Sequence, residues 1–218
     1  YGDHRDLHLS LRRQRQMCIR DRSIGKPAML VGASLGGMAS LALAGDNINS
    51  NLCKALIMVD IGIYPDPEGS DRIVSFMLSG ESGFSSLEEA AKSISNYLPH
   101  RKKPKELKGL EKNLRLKEDG KYYWHWDPKF LQRRSERKPG EESEFYKDQE
   151  ESAKNVKIPT LLIRGALSDV LTEDDKNLFL NTIKHSEFRE IQEAAHMVAG
   201  DKNDIFAESI ISFLTKNN

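Results

Sequence analysis

The segment that most constrains the fold is a run of 19 residues without a charge, from Pro27 to Gly45. This length is close to the roughly 20 apolar residues that an α-helix needs to cross a bilayer. The middle of the run reads GASLGG, however, and glycine is unfavourable inside a helix because it loses the most backbone freedom on folding. We therefore predict, instead of a membrane span, a buried strand (Ala28 to Val31), a tight turn (Gly32 to Gly37) and a helix (Met38 to Ala44).

Further apolar runs follow at the spacing of a parallel α/β sheet. ALIMVDI, from Ala55 to Ile61, and PTLLIR, from Pro159 to Arg164, have the length and apolar content of strands that are buried on both faces. A short strand from Glu187 to Ile191 and a helix from Asp204 to Leu214 are predicted to close the chain. Because parallel strands need crossover connections, which are usually helices, this order predicts an α/β fold with a doubly wound, mainly parallel sheet.

A long segment of different character separates the second and third of these strands. We predict a helical insertion over residues 64–156. Ser86 opens the sequence SLEE, which has the form of a capping box, and its helix is expected to end near Leu98. Arg101 to Lys117 holds eight basic and two acidic residues, and Glu141 to Glu151 holds six acids and one lysine. Both stretches are typical of solvated helices.

The composition describes an ordinary domain without an electrostatic partner. The 218 residues hold 33 Lys and Arg against 33 Asp and Glu, so a net charge of zero gives no long-range attraction to nucleic acid or anionic membrane. The basic run also lacks the interleaved aromatic residues of single-strand binders. Two cysteines and no secretory signal indicate the cytoplasm. Without H-E-x-x-H or C-x-x-C spacing, we expect no metal and no cofactor.

The charge-free run contains a motif that points to nucleophilic catalysis. Gly32 to Gly36 reads G-x-S-x-G between a predicted strand and a predicted helix, which is the context that this motif requires. The turn is so sharp that we expect a side chain at either glycine to collide with the neighbouring strand or helix. Ser34 would then stand clear of the sheet at the start of the helix, where the N–H of Leu35 can stabilise an oxyanion.

A serine hydroxyl is a weak nucleophile without a base and a group that orients the base, and candidates for both lie after the insertion. Asp169 follows the third predicted strand, at the carboxyl edge where ligands bind in open α/β sheets. His196 follows the last short strand, so its ring could meet Ser34 through one nitrogen and Asp169 through the other. Asp60, at the end of the second strand, is the alternative acid. We predict that Asp169→Asn impairs turnover more than Asp60→Asn.

Three segments together resemble the α/β-hydrolase superfamily: GASLGG resembles its nucleophile elbow, RGALSDVL its acid turn and EAAHMVAGDKNDIF its histidine loop. The resemblance covers residues 26–218. It implies a Ser-His-Asp hydrolase, acting without a cofactor on an ester or related acyl bond of a small molecule, with a helical cap in the insertion. Some members of the superfamily place their acid at the position of Asp60. A serine at the elbow is unlike the dehalogenase and epoxide hydrolase branches, which need a carboxylate nucleophile.

The resemblance also implies several strands before the elbow, one of which leads into a loop that supplies a second oxyanion donor. Only 33 residues precede Ser34, so we expect a chain truncated at the amino end. Loss of half of the oxyanion hole would lower turnover about 10²- to 10³-fold and leave this form nearly inactive. Residues 1–22 contain LRRQRQMCIRDR, which shows neither strand nor helix periodicity, and are predicted to be a non-native or disordered arm. The predicted core then comprises residues 23–63 and 157–218, on either side of the cap at 64–156.

The insertion also contains candidate pocket residues. Trp124, His125 and Trp126 lie in YYWHWDP, which resembles a cap segment, and aromatic walls recur in small-molecule sites. Packing inside the cap is the alternative for both tryptophans. Other functions stay open on the same fold: a non-catalytic protein that binds a small ligand, or a perhydrolase or carbon–carbon bond hydrolase on the same triad. An interaction protein that uses the basic run would show salt-sensitive binding to polyanions.

Overall fold

The computed structural model describes residues 26–101, 107–129, 131 and 141–218, so the predicted arm at residues 1–22 lies outside the described residues. In chain order the strands and helices are β1 (Ala28–Ala33), α1 (Leu35–Ala44), β2 (Cys53–Val59), α2 (Pro67–Leu78), α3 (Leu87–Tyr97), β3 (Leu114–Leu116), β4 (Tyr122–Trp124), α4 (Glu141–Asn155), β5 (Thr160–Gly165), α5 (Glu173–Thr182), β6 (Glu187–Ile191), α6 (Val198–Asp201) and α7 (Asn203–Lys216). Short 3-10 helices cover Ser50–Leu52 and Leu107–Asn113.

The charge-free run folds as a strand, a turn and a helix, as predicted. The expected burial of the strand was wrong, because β1 lies at the edge of the described sheet and Val31 is 47% exposed. The turn is shorter than expected, because β1 continues to Ala33, α1 begins at Leu35, and Ser34 alone separates them. Within the described ranges, no helix combines the length and the apolar character that crossing a bilayer requires.

Among the described residues, the main sheet has four parallel strands in the order β1-β2-β5-β6, as expected for an α/β fold. The register pairs Ala33 with Val59, and Val59 in turn with Ile163. Since the strands are parallel and nearly flush at these positions, their carboxyl ends meet at one edge of the sheet. The residues that follow each strand are therefore brought together there.

Helices cover both faces of the sheet, so the sheet is doubly wound. Along β2, Leu56 and Met58 face one side and Ala55, Ile57 and Val59 face the other, as the twofold periodicity of a strand requires. The first side packs against α1, α4 and α5, and the second against α7, through the buried side chains Met38, Leu41, Ala153, Phe179 and Phe213. Apart from Lys54 the strand is buried, which explains the apolar run from Ala55 to Val59.

The insertion leaves the sheet after β2 and returns to it at β5, the neighbouring strand. Its first helices pack around a hydrophobic cluster of their own, formed by Phe84, Ala90, Leu114 and Trp124. The Ser86 hydroxyl accepts the N–H of Glu89, so α3 begins at the predicted cap. The last helix, α4, packs instead against α1, with Ala153 in the main core. We therefore propose that the cap ends before α4, earlier than the predicted residue 156.

A two-stranded antiparallel hairpin, β3-β4, lies within the insertion where only helices were predicted. Its turn contains Asp119 and Gly120, and Gly120 has a φ of 76°, a left-handed conformation that glycine adopts without strain. The Asp-Gly pair before YYW is the sequence signal that could have revealed this hairpin.

Asp175, in the first turn of α5, is a buried carboxylate that ties this helix to the start of the insertion. One oxygen accepts the N–H groups of Ile63 (3.1 Å) and Tyr64 (2.9 Å), while the other has no hydrogen-bond partner among the described residues. Burial, only partly offset by these two bonds, raises the pKa of Asp175 from its ordinary 3.8 to about 6.

Candidate active site

Ser34 and Asp60 occupy equivalent places on adjacent strands, because each is the first residue after its strand. The N–H of Ser34 donates to the carbonyl of Val59 at 3.2 Å, which joins the two strand ends. Both residues have left-handed backbones, with φ of 50° for Ser34 and 51° for Asp60. Such conformations cost a non-glycine residue of order 1–3 kcal/mol and cluster at functional sites. Two residues with strained backbones therefore lie side by side at the carboxyl edge of the sheet.

Close backbone approach explains only part of the glycine pattern at this turn. A Cβ on Gly32 would lie 2.4 Å from the carbonyl oxygen of Gly36, so the collision that we expected there is confirmed. A Cβ on Gly36 would meet nothing within 4 Å in the described part of the chain, so the same expectation was wrong for that residue. Gly37 is the second crowded glycine, since its Cβ would lie 2.4 Å from the side chain of Ile61.

His196 is held by Asp60. Its Nδ1 lies 2.9 Å from a carboxylate oxygen of Asp60, which is fully buried, and the histidine side chain is only 9% exposed. Asp60 also accepts the N–H of Gly165 (2.9 Å) and the hydroxyl of Ser168. With three donors, the carboxylate is satisfied without water and orients the ring. When the neutral ring carries its proton on Nδ1, facing this carboxylate, Nε2 has the lone pair and can accept a proton.

The expected contact between His196 and Asp169 was wrong: the ring contacts Asp60, and not Asp169. Its carboxylate lies instead 2.8 Å from the guanidinium of Arg72 on α2. The physical reason is position: Asp169 lies four residues beyond the end of β5, and the intervening loop directs it towards the insertion. Its neighbour Ser168 is the residue that contacts the buried Asp60, and no sequence pattern indicates this contact.

The hydroxyl of Ser34 stands at the amino end of α1. The carbonyl of Ser34 accepts the N–H groups of Gly37 (2.8 Å) and Met38 (3.1 Å). The N–H of Leu35, the first residue of α1, lies outside the helix's own hydrogen-bond ladder and is available to an anion. Within the described residues, the Ser34 hydroxyl makes no hydrogen bond with His196. The strand ends thus bring Asp60 and His196 into contact and place Ser34 on the adjacent strand end.

The predicted pocket aromatics line a different space. Trp124, His125 and Trp126 border a cavity of about 390 Å³ between the end of α2 and the hairpin, and its lining contains none of the residues Ser34, Asp60 and His196. The two tryptophan rings stack with centroids 4.8 Å apart, and Trp124 is 7% exposed. Both rings take part in the packing of the insertion. In the described ranges, no three His, Cys, Asp or Glu side chains are grouped as a metal site would need.

The chain belongs to the α/β class of folds, because it has a parallel sheet covered by helices on both faces. A serine turn and an Asp-His pair lie at the carboxyl edge of this sheet. No family model and no curated protein matches the chain. Among solved structures, it is similar to E-2-(acetamidomethylene)succinate hydrolase, with a TM-score of 0.72 and 18% identity over 91% of this chain and 70% of that one.

Two further solved structures are also similar to this chain. A putative hydrolase from Rickettsia typhi has a TM-score of 0.69 and 21% identity, over 94% of this chain and 68% of that one. An esterase from Mycobacterium tuberculosis has a TM-score of 0.68 and 20% identity, over 93% of this chain and 66% of that one. The chain has the α/β-hydrolase fold, as the resemblance implied.

Proposed function

We propose that this protein is a serine hydrolase that cleaves an ester or related acyl bond of a small molecule. Ser34 is the nucleophile, His196 the general base and Asp60 the acid that orients the base. The observation that carries the proposal is the buried Asp60–His196 pair, placed at the same sheet edge as a serine in a strained turn between strand and helix. The similar structures that are hydrolases and esterases support the same class of reaction.

The reaction begins when the Ser34 hydroxyl oxygen attacks the carbonyl carbon of the substrate. Nε2 of His196 takes the hydroxyl proton as the new bond forms, and Asp60 stabilises the resulting imidazolium through Nδ1–H. The carbonyl oxygen becomes an oxyanion, to which the N–H of Leu35 donates. One such donor is worth about 10²- to 10³-fold in turnover. The serine and histidine must approach for this step, and catalytic hydrogen bonds often tighten only in the substrate complex.

Collapse of the tetrahedral intermediate breaks the bond to the leaving group, which takes the proton from His196 and departs as an alcohol. The acyl group is then an ester of Ser34. In the second half, His196 removes a proton from water as water attacks this ester, and returns a proton to the Ser34 oxygen when the acid product leaves. Water is consumed once, and the enzyme is regenerated.

Labelling with a fluorophosphonate probe tests the nucleophile, because the probe forms a stable bond only with an activated serine. We expect one adduct on the wild-type chain, mapped to Ser34 by peptide mass spectrometry, and none on Ser34→Ala. Ser40→Ala is the matched control, since Ser40 lies on the same helix with its hydroxyl bonded to the carbonyl of Gly36, and should label normally. A folded wild-type chain without an adduct would overturn the proposal and favour a non-catalytic binding protein.

A further inference from the structure

Besides Asp60 and Asp175, a further carboxylate with a buried side chain lies beside the loop that carries His196. The side chain of Asp201, at the end of α6, is 2% exposed. One of its oxygens accepts the N–H of Ala195 at 2.9 Å and lies 3.2 Å from Nε2 of His100, and the other accepts Nε of Arg101. His100 and Arg101 belong to the insertion, immediately after α3. Asp201 therefore joins the insertion to the loop that carries His196.

The contacts fall on both sides of His196. Asp201 holds the preceding residue, Ala195, through its backbone N–H. Arg101 reaches the following residue, since its Nη2 lies 3.4 Å from the carbonyl of Met197. The backbone of the loop is thus fixed before and after the ring, while Asp60 holds the ring itself.

The geometry around the guanidinium shows that this contact is closely fitted. A Cβ on Gly200 would lie 2.5 Å from Nη2 of Arg101, so the guanidinium occupies the space that a side chain would fill. Burial opposes the charge of Asp201, but hydrogen bonds from Ala195, Arg101 and His100 outweigh it and hold the pKa of Asp201 below its ordinary value. The carboxylate is therefore charged while buried, and removing Arg101 would leave that charge poorly compensated.

We propose that Arg101 and Asp201 are positioning residues for His196, so that the insertion sets the place of the general base and does more than enclose substrate. This inference rests on the proposed function for its catalytic meaning. A ring displaced by about 1 Å costs of order 10²-fold in rate, so a loosened loop should lower kcat while leaving KM nearly unchanged. A segment that only shaped the substrate pocket would raise KM instead.

Two variants disturb the contact by different routes. Arg101→Leu removes the guanidinium, and Gly200→Ala displaces it while keeping every charge. Their matched controls are Arg189→Leu, where the arginine is exposed on β6 and pairs weakly with Glu187 at 3.8 Å, and Gly109→Ala, where a Cβ meets nothing within 4 Å among the described residues.

The first readout needs no activity. The proton on Nδ1 of His196, hydrogen-bonded to a buried carboxylate, should give a downfield proton resonance in the wild type that is absent from His196→Gln. We expect this signal to broaden or shift in Arg101→Leu and Gly200→Ala, to stay in both controls, and to be partly restored in Arg101→Lys. An unchanged signal in Arg101→Leu and Gly200→Ala would overturn the inference, whatever the chain's activity.

The second readout is hydrolysis of p-nitrophenyl acetate together with the rate of fluorophosphonate labelling. We expect kcat and the labelling rate to fall about 10- to 100-fold in Arg101→Leu and Gly200→Ala, with KM within about twofold. A rise in KM at constant kcat would also overturn the inference. If the wild-type chain neither labels nor hydrolyses the ester, the proposed function fails, while a lost proton signal in Arg101→Leu still shows that Arg101 positions the ring.

Discussion

Exchange of the two candidate acids for asparagine separates their roles. In Asp60→Asn, the amide oxygen can still accept the N–H of Gly165, but the amide NH₂ then faces Nδ1 of His196. Two N–H donors cannot hydrogen-bond to each other. His196 must therefore present the lone pair of Nδ1 to the amide and carry its proton on Nε2. In that tautomer His196 cannot take the proton of Ser34. We expect kcat/KM to fall about 10⁴-fold, equivalent to about 5.5 kcal/mol, the loss typical when a triad acid becomes an amide.

Asp169→Asn should have a small effect, because it removes only a partly exposed pair with Arg72. The arginine side chain is 60% exposed and the aspartate 33%, and such pairs contribute about 0–1 kcal/mol to the free energy of unfolding. We expect kcat/KM within about tenfold of the wild type. The assay is p-nitrophenyl acetate hydrolysis at several pH values, with circular dichroism to show that both variants fold. An equal or larger loss in Asp169→Asn would refute the reasoning and return the acid to β5.

Two further substitutions test the packing of the elbow and the charge on α5. Gly32→Ala should lower the free energy of unfolding by about 1–3 kcal/mol, because the new Cβ would collide with the backbone of Gly36, whereas Gly36→Ala should not lower it. Equal losses for the two variants in urea unfolding would contradict this collision. Because the pKa of Asp175 is higher in the folded chain, this group stabilises the fold below about pH 4, and that contribution is lost as pH rises through about 6. The free energy of unfolding of Asp175→Asn should therefore match that of the wild type near pH 4 and exceed it by up to about 3 kcal/mol at pH 8. The exposed neighbour variant Asp174→Asn is its control, and a constant difference across pH would refute the assignment.

The strands of the fold could be predicted because burial on both faces leaves a direct mark in the sequence. β2 contains the apolar run ALIMV and β5 the run TLLI, and the predicted bounds of each strand lie within two residues of the observed ones. The hairpin β3-β4 was missed because its strands have three residues each, too few for a periodicity to show. Its Asp-Gly turn was the stronger signal.

The choice between the two candidate acids, Asp60 and Asp169, was harder to make from the sequence, since it depended on where a strand ends. The predicted second strand ran to Ile61 and so enclosed Asp60, whereas β2 ends at Val59 and makes Asp60 the first residue beyond it. One more residue of strand would turn that side chain to the opposite face. The left-handed backbone at Asp60 and the loop that carries Asp169 towards Arg72 are tertiary outcomes that local propensity does not encode.

The separate cluster of Phe84, Ala90, Leu114 and Trp124 gives the first part of the insertion a packing centre that the sheet does not share. That part can be exchanged for a segment of another protein. It leaves and rejoins the core between adjacent strands, so a replacement segment of different length does not alter the strand order. The exchange has one condition. The replacement segment must place a cation at the position of Arg101, or Asp201 must be substituted at the same time. Otherwise the exchange leaves an unpaired buried charge beside the loop of His196.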